Sequence, residues 1–332
     1  MKRVVLDAMG SDRAPYVEVR GALRAIERRK DLQLFLVGDK SLIEKEFRRV
    51  KFRGKVPFEI VHTDEKIDMR EKASLALKKK RSSIALGLSM VKEGEADVFV
   101  SAGNTGAVMA FSLSLLGRIR GVRRPAIGVM IPTLMGTALL LDVGANAQVK
   151  PQDLVQFAVM GSLFVQYVKG VESPRVGLLS IGEEEGKGNP LVIEAKSLLG
   201  EREDLNFIGF IEGNHILEGR ADVVVTDGFT GNVILKFGEG SLNLIKNVLT
   251  AEIKRNPFAL MGYILLRPTF VSLKKKFDYE EYGGAPLLGV NGVVLISHGR
   301  STPKAIMNAI ITALDFAEKD VNRHIEEKFL ER

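Results

Sequence analysis

The chain has 332 residues, 45% of them hydrophobic and 27% charged, with a formal net charge of +7. That length buries a substantial core, as one large domain or two modest ones. It contains no cysteine, which excludes disulfides, cysteine-ligated zinc and a cysteine acyl-enzyme. The basic balance favours acidic partners, and with no Trp and five Tyr nucleic acid is the weakest of these.

The opening MKRVVLDAMG is too short in apolar residues for an export signal and predicts a first strand over Arg3–Ala8. Further strands are expected at Gln33–Val37, Phe58–Val61, Asp97–Ser101, Ala138–Val143, Val176–Ser180, Asn206–Ile211, Asp222–Thr226 and Val293–Ser297. Helices are expected at Val17–Lys30, Ser83–Glu93, Gly106–Leu116, Asp153–Lys169, Leu191–Leu199, Gly231–Leu249 and Pro303–Leu330. Ser82 or Ser83 caps one helix in this reading and Ser41 another. Short β-branched runs alternating with longer amphipathic stretches predict an α/β fold of parallel strands joined by crossover helices. No internal repeat or linker is evident, so residues 1–332 read as one α/β domain, with two lobes left open.

Residues 256–278, NPFALMGYILLRPTFVSLKKKFD, stand apart. They are too short, and too broken by Pro257 and Pro268, for a membrane span. An apolar hairpin dipping into a membrane surface fits the composition, with Phe258, Leu260, Met261, Ile264, Leu265 and Leu266 in contact and the Lys274–Lys276 run at the headgroups. A buried helix pair or a dimer interface fits it equally.

Most expected strands end on a glycine beside a polar residue: Asp7–Gly10, Ser101–Asn104, Asp142–Asn146, Ser180–Glu183, Thr226–Gly228 and Ser297–Gly299. In a doubly wound sheet such ends share one ligand-binding edge, and glycine there permits a sharp turn or close backbone approach. The run SAGNTG, Ser101–Gly106, joins a strand to a helix whose first amides suit a phosphate or carboxylate. TDGFTGN, Thr226–Asn232, repeats the design. Other signatures fail. GEEEGKGN, Gly182–Asn189, has three residues between its glycines where a P-loop has four. There is no G-x-G-x-x-G after the first strand, no G-x-S-x-G and no H-E-x-x-H. Four scattered histidines do not make a metal site.

With these residues in view, the sequence resembles the bacterial PlsX family of acyl carrier protein-dependent phosphate acyltransferases. The resemblance rests on DAMGSD (Asp7–Asp12), SAGNTGA (Ser101–Ala107), LLDVGAN (Leu140–Asn146), KPQDLVQFAVMG (Lys150–Gly161), GLLSIGEEEGKGN (Gly177–Asn189) and VVVTDGFTGN (Val223–Asn232). DYEEYGGAPLLGVNG (Asp278–Gly292) and SHGRS (Ser297–Ser301) complete it. Departures are Ser11 for a second glycine, Ser180 for asparagine, and GFIEGNH (Gly209–His215) for a Gly-Asn-x-Glu-x-Arg-Asp pattern.

The resemblance implies a homodimeric three-layer α/β/α fold with a mostly parallel sheet, similar to phosphotransacetylases and isopropylmalate dehydrogenases. It also implies conversion of long-chain acyl carrier protein and inorganic phosphate to acyl phosphate and free carrier, without a cofactor or metal. The acyl phosphate would feed a membrane glycerol-phosphate acyltransferase in phospholipid synthesis, with this chain cytoplasmic and peripheral to the membrane. Phosphate is already anionic and thiolate leaves well, so the task is to position groups and stabilise charge. The expected phosphate cradle is Ser101, Gly103, Asn104, Thr105 and Gly106. Lys187 would neutralise phosphate or the oxyanion, Asn232 would donate a hydrogen bond, and His298 would protonate the thiolate or orient phosphate. Asp7, Asn146 and Asp227 would anchor these groups. Carrier docking is expected on one of two basic runs, Leu77–Ser83 or Arg118–Arg124. An acyl-CoA phosphotransacetylase and a non-catalytic membrane-docked scaffold are the alternatives. A nicotinamide dehydrogenase of the related fold is disfavoured by the missing glycine fingerprint.

Overall fold

A computed structural model describes residues 2–50, 52, 58–277 and 279–331, excluding the side chains of 274, 275, 277, 279 and 280. Asp278 of the DYEEYGG stretch and the side chains of Lys274 and Lys275 therefore lie outside the described residues. The N-terminal part runs β1 (Lys2–Asp7), α1 (Tyr16–Arg28), β2 (Leu32–Gly38), α2 (Lys40–Arg49), β3 (Glu59–His62), α3 (Ala73–Ala76), α4 (Ser83–Lys92), β4 (Val98–Ser101), α5 (Thr105–Leu115) and β5 (Ala126–Thr133). Then follow β6 (Gly136–Leu141), α6 (Pro151–Lys169), β7 (Arg175–Leu179), α7 (Pro190–Gly200), β8 (Asn206–Ile211), α8 (Gly213–Glu218), β9 (Val223–Val225) and α9 (Gly228–Arg255). The last elements are α10 (Pro257–Leu265), α11 (Arg267–Phe277), β10 (Ala285–Leu288), β11 (Val293–Ile296), α12 (Pro303–Glu318) and α13 (Val321–Leu330).

Every expected strand is present, and the α/β class with helices over both sheet faces holds. One buried cluster, with Leu6, Val100, Phe157, Phe164 and Phe316, lies under α1, α6 and α12. The other, with Val5, Phe99, Leu88 and Phe111, lies under α4 and α5. Alternation along each strand supplies both: Val4 and Leu6 face the first cluster, Val5 the second. Ser82 caps α4 by accepting from the Ala85 amide, whereas α2 is capped by Asp39 and not by Ser41. The expected Pro303–Leu330 helix breaks at Asp320, whose φ of 48° is left-handed. β5, β10, α3 and α8 lie outside the expected elements: β5 and β10 each contain a proline, Pro132 and Pro286, which argues against a strand in the sequence.

The sheet has eleven strands in the order β3-β2-β1-β4-β11-β10-β5-β6-β9-β7-β8. β1, β2, β3, β4 and β11 pair in parallel, as do β6, β7, β8 and β9. Between these sets β11–β10, β10–β5 and β5–β6 are all antiparallel. Three reversals leave the two parallel sets running in opposite directions. The expectation that all strand ends share one edge is therefore corrected: β1, β4 and β11 end on one edge of the sheet, and β6, β7 and β9 end on the other.

The reversal exposes a repeat that the sequence reading did not find. Counted outward from the β10–β5 junction, the halves read β10-β11-β4-β1-β2 and β5-β6-β9-β7-β8, with matched strands opposed in direction. This pairs SAGNTG after β4 with TDGFTG after β9, and SHGRS after β11 with DVGAN after β6. The shared residues are mainly glycines and small polar groups at turns, too few to register as sequence similarity.

Candidate active site

On the first edge, the β4–α5 turn engages its polar groups internally. The Ser101 hydroxyl donates to Asp7 Oδ2 at 2.6 Å and accepts from the Gly103 amide at 2.9 Å. Asn104 caps α5 through the Ala107 amide, and its Nδ2 donates to the carbonyls of Asp68, Met69 and Glu71. A Cβ on Gly10 would lie 2.6 Å from the Gly103 nitrogen, so the two glycine turns pack on each other. Burial pushes the Asp7 carboxyl above its ordinary range, against hydrogen bonds from Ser101 and Ser83. The position suited to an external anion is thus partly filled by the protein's own carboxyl. Of the expected cradle, Thr105 and Gly106 alone have first-turn amides with no hydrogen bond among the described residues. His298 is exposed on this edge, with Nδ1 accepting from the Arg300 amide at 3.1 Å.

The second edge is built around Asp142. Its Oδ1 accepts from the amides of Ile127, Gly144 and Ala145, and its Oδ2 from the backbone and side-chain nitrogens of Asn146. Burial raises this carboxyl too, while those N–H donors oppose the shift. The Asn146 carbonyl accepts from the Gly228 amide at 2.8 Å, fastening the Asp142 loop to the first residue of α9. Asp227 caps that helix, accepting from the Thr230 amide and hydroxyl. At Gly231 a Cβ would overlap the Asp142 carbonyl oxygen, so glycine is required for α9 to start this close to β6. Asn232 follows, exposed, beside the backbone of Gly144.

Beyond β9, the glutamate-rich loop leaves β7. Gly188 is left-handed at φ 114°, and a Cβ there would strike Val192. The Lys187 stem lies over Gly182, 3.0 Å from where a Cβ would stand. Glu183 pairs with Arg220 at 3.0 Å, and His215 Nδ1 lies 2.7 Å from the same oxygen without hydrogen-bond geometry, so its charge is met by a cation other than Lys187. Among the described residues, no hydrogen bond or ion pair engages Lys187 Nζ or the Asn232 carboxamide.

The expected site residues therefore divide. Asp7, Ser101, Gly103, Asn104, Thr105, Gly106 and His298 share the first edge; Lys187, Asn232, Asn146 and Asp227 share the second. One chain does not bring His298 or the SAGNTG turn to Lys187, because β4 and β9 point in opposite directions. Asp142, the acceptor on which the second edge is organised, was quoted in the sequence without a role. A carboxylate followed by Val-Gly-Ala-Asn at a strand end was its only signal.

The sequence profile described as "Fatty acid synthesis protein" matches residues 2–324. The chain belongs to this family. It is 47% identical over 330 residues to the "Phosphate acyltransferase" of Geotalea uraniireducens (strain Rf4), covering 99% of this chain and 94% of that one. It is 49% identical over 326 residues to the "Phosphate acyltransferase" of Heliobacterium modesticaldum (strain ATCC 51547 / Ice1), covering 98% and 97%. Its fold is similar to a phosphotransacetylase from Streptococcus pyogenes, with TM-score 0.64, 18% identity and coverage of 96% and 94%. At that identity the likeness concerns the fold, and it agrees with the fold that the family resemblance implied.

Proposed function

We propose that the chain is an acyltransferase that moves a long acyl group from acyl carrier protein to inorganic phosphate, at the edge formed by β6, β9 and β7. The observation that carries this reading is the pair Lys187 and Asn232. These uncommitted polar groups stand on the β7–α7 loop and near the braced start of α9, in a family whose relatives are named phosphate acyltransferase. A phosphate oxygen attacks the thioester carbonyl, the C–O bond forms, the C–S bond breaks, and the proton of hydrogen phosphate ends on the carrier thiol. The Lys187 ammonium offsets the charge of phosphate or of the tetrahedral oxyanion, and Asn232 Nδ2 donates to the same developing charge. Asp142, Asn146 and Asp227 hold the backbone on which Asn232 is carried. Thr105 and His298 stand at the opposite edge and take no part in this step.

The test is phosphate-dependent hydroxamate formation from long-chain acyl carrier protein. Lys187→Ala and Asn232→Ala each lower kcat by roughly a hundredfold with unchanged circular dichroism. Normal turnover by Lys187→Ala at saturating phosphate removes the role given to it. Acyl-CoA is the second donor to try, because the fold is shared with phosphotransacetylases; a preference for it moves the reading there. Turnover by neither leaves the scaffold reading.

The membrane and dimer readings belong to α9, α10 and α11. α10 buries no residue, Phe258 is 80% exposed and Leu265 78%. No helix among the described residues is long and apolar enough to cross a membrane. In this reading the tip with Phe258, Leu260, Met261, Ile264, Leu265 and Leu266 rests in the lipid surface, placing acyl phosphate beside the membrane glycerol-phosphate acyltransferase that consumes it. The exposed α9 stripe of Phe229, Val233, Phe237, Leu244 and Val248 packs against a second copy. Sedimentation as a monomer, or failure of Leu265→Asp to weaken vesicle binding, removes the corresponding statement.

A further inference from the structure

Resting on that functional reading, we propose that the acidic carrier docks on the Arg118–Arg124 loop and not on the Lys78–Arg81 run. The sequence offers both as basic surfaces. Their places in the fold separate them.

The Arg118–Arg124 loop joins α5 to β5 and therefore lies on the second edge, with Lys187 and Asn232. Its base is rigid. The Ile119 amide donates to the Gly289 carbonyl and the Asn291 amide to the Gly117 carbonyl, each at 3.0 Å. Arg118 donates to the Arg123 carbonyl across the loop. Arg120, with a side chain 79% exposed, pairs with Glu326 at 2.6 Å. Arg123 and Arg124 share one buried carboxylate, Asp153, at 2.8 and 3.6 Å. Asp153 is further engaged by the Lys150 amide at the start of α6. Three of the four guanidiniums thus share two carboxylates in the ion pairs described, Arg118 meets a backbone carbonyl instead, and the surface keeps a positive excess facing solvent.

This surface also adjoins the site. Arg124 Nη1 donates to Asn146 Oδ1 at 3.4 Å, and Asn146 is the residue whose carbonyl receives the Gly228 amide of α9. One side chain therefore separates the basic loop from the helix that carries Asn232. The Lys78–Arg81 run instead leads into α4, whose first residue is hydrogen bonded to Asp7 on the first edge. Its Lys79 is already paired with Glu71 at 2.7 Å.

Charges at the rim of an interface act on encounter and on salt dependence more than on the chemical step. The two arginines outside the Asp153 cluster, Arg118 and Arg120, can therefore be reversed without touching the site. With acyl carrier as substrate, the Arg118→Glu/Arg120→Glu double variant raises KM by about tenfold or more and leaves kcat within about twofold. Its turnover of a carrier-free acyl-pantetheine thioester is unchanged, and Arg118→Lys/Arg120→Lys behaves as wild type. Lys78→Glu/Lys80→Glu changes the carrier KM by less than about twofold. For the wild type, the carrier KM rises as ionic strength goes from about 50 to about 300 mM, which tests the electrostatic step without any variant. An unchanged KM in the arginine variant, or a large increase in the lysine variant, overturns the docking while leaving the acyl transfer intact. A wild type that uses acyl-CoA but not acyl carrier overturns the functional reading and the docking with it.

Discussion

The turn after β4 and the turn after β9 use the same parts: a short strand, a turn with a glycine beside a capping Asn or Asp, and a helix. They differ in what is left over. After β4, Ser101, Gly103 and Asn104 are engaged by Asp7 and by the 68–71 loop. After β9, Asp142, Asn146 and Asp227 satisfy one another, and Lys187 and Asn232 remain uncommitted beside them. A polar turn becomes a binding site only where its structural hydrogen bonds are completed by other groups. The sequence motif is equally good in both places.

Glycine substitutions separate the two edges most strongly. Gly231→Ala forces a Cβ into the Asp142 carbonyl, costing about 3 kcal/mol or more and abolishing turnover. Gly106→Ala, at the matching position on the first edge, meets nothing closer than 3.4 Å and gains up to about 1 kcal/mol from helix propensity. Urea unfolding with parallel activity assays checks both, and equal effects would erase the distinction drawn between the edges.

The two buried carboxyls differ in how many donors they hold. Asp142→Asn places an amide against five N–H donors and costs about 3 kcal/mol, with activity falling faster than stability. Asp7→Asn retains partners in Ser101 and the Met9 amide and costs about 1 to 2 kcal/mol without lowering kcat. Denaturation midpoints and single-turnover rates read these separately.

The first edge carries its own signature in pH. Glu18, on the buried face of α1, accepts from the Ser11 amide and lies near Asp7. Burial pushes its carboxyl from 4.5 up to about 8. The folded state then holds a proton that the unfolded state releases, so the stabilisation is full below pH 4.5 and is lost as pH rises to about 8. Stability falls by about 2 kcal/mol between about pH 5 and pH 7. Glu18→Gln flattens that dependence in urea midpoints taken across the range. A variant as steep as wild type would place the proton elsewhere. The smallest effect is at a cap: Ser82→Ala, losing the bond to the Ala85 amide, costs about 1 kcal/mol and leaves kcat alone.

Local sequence encodes the elements and the family. β-branched alternation marks the strands, the glycine-polar ends mark their turns, and motifs from Asp7 to Ser301 identify the relatives. That Lys187 and Asn232 are candidates is also readable locally, because a lysine between glycines and an asparagine near a helix start carry their chemistry in the sequence. Strand direction was decided only by tertiary structure. It depends on the three antiparallel pairings around β10 and β5, and above all on the β10–β5 pairing, which sets Leu287 against Ile127 from a distant part of the chain. Those pairings put SAGNTG and TDGFTGN on opposite edges, and no local propensity encodes that. Burial likewise decided which polar groups were already engaged, since Asp7 meets Ser101 across 94 residues.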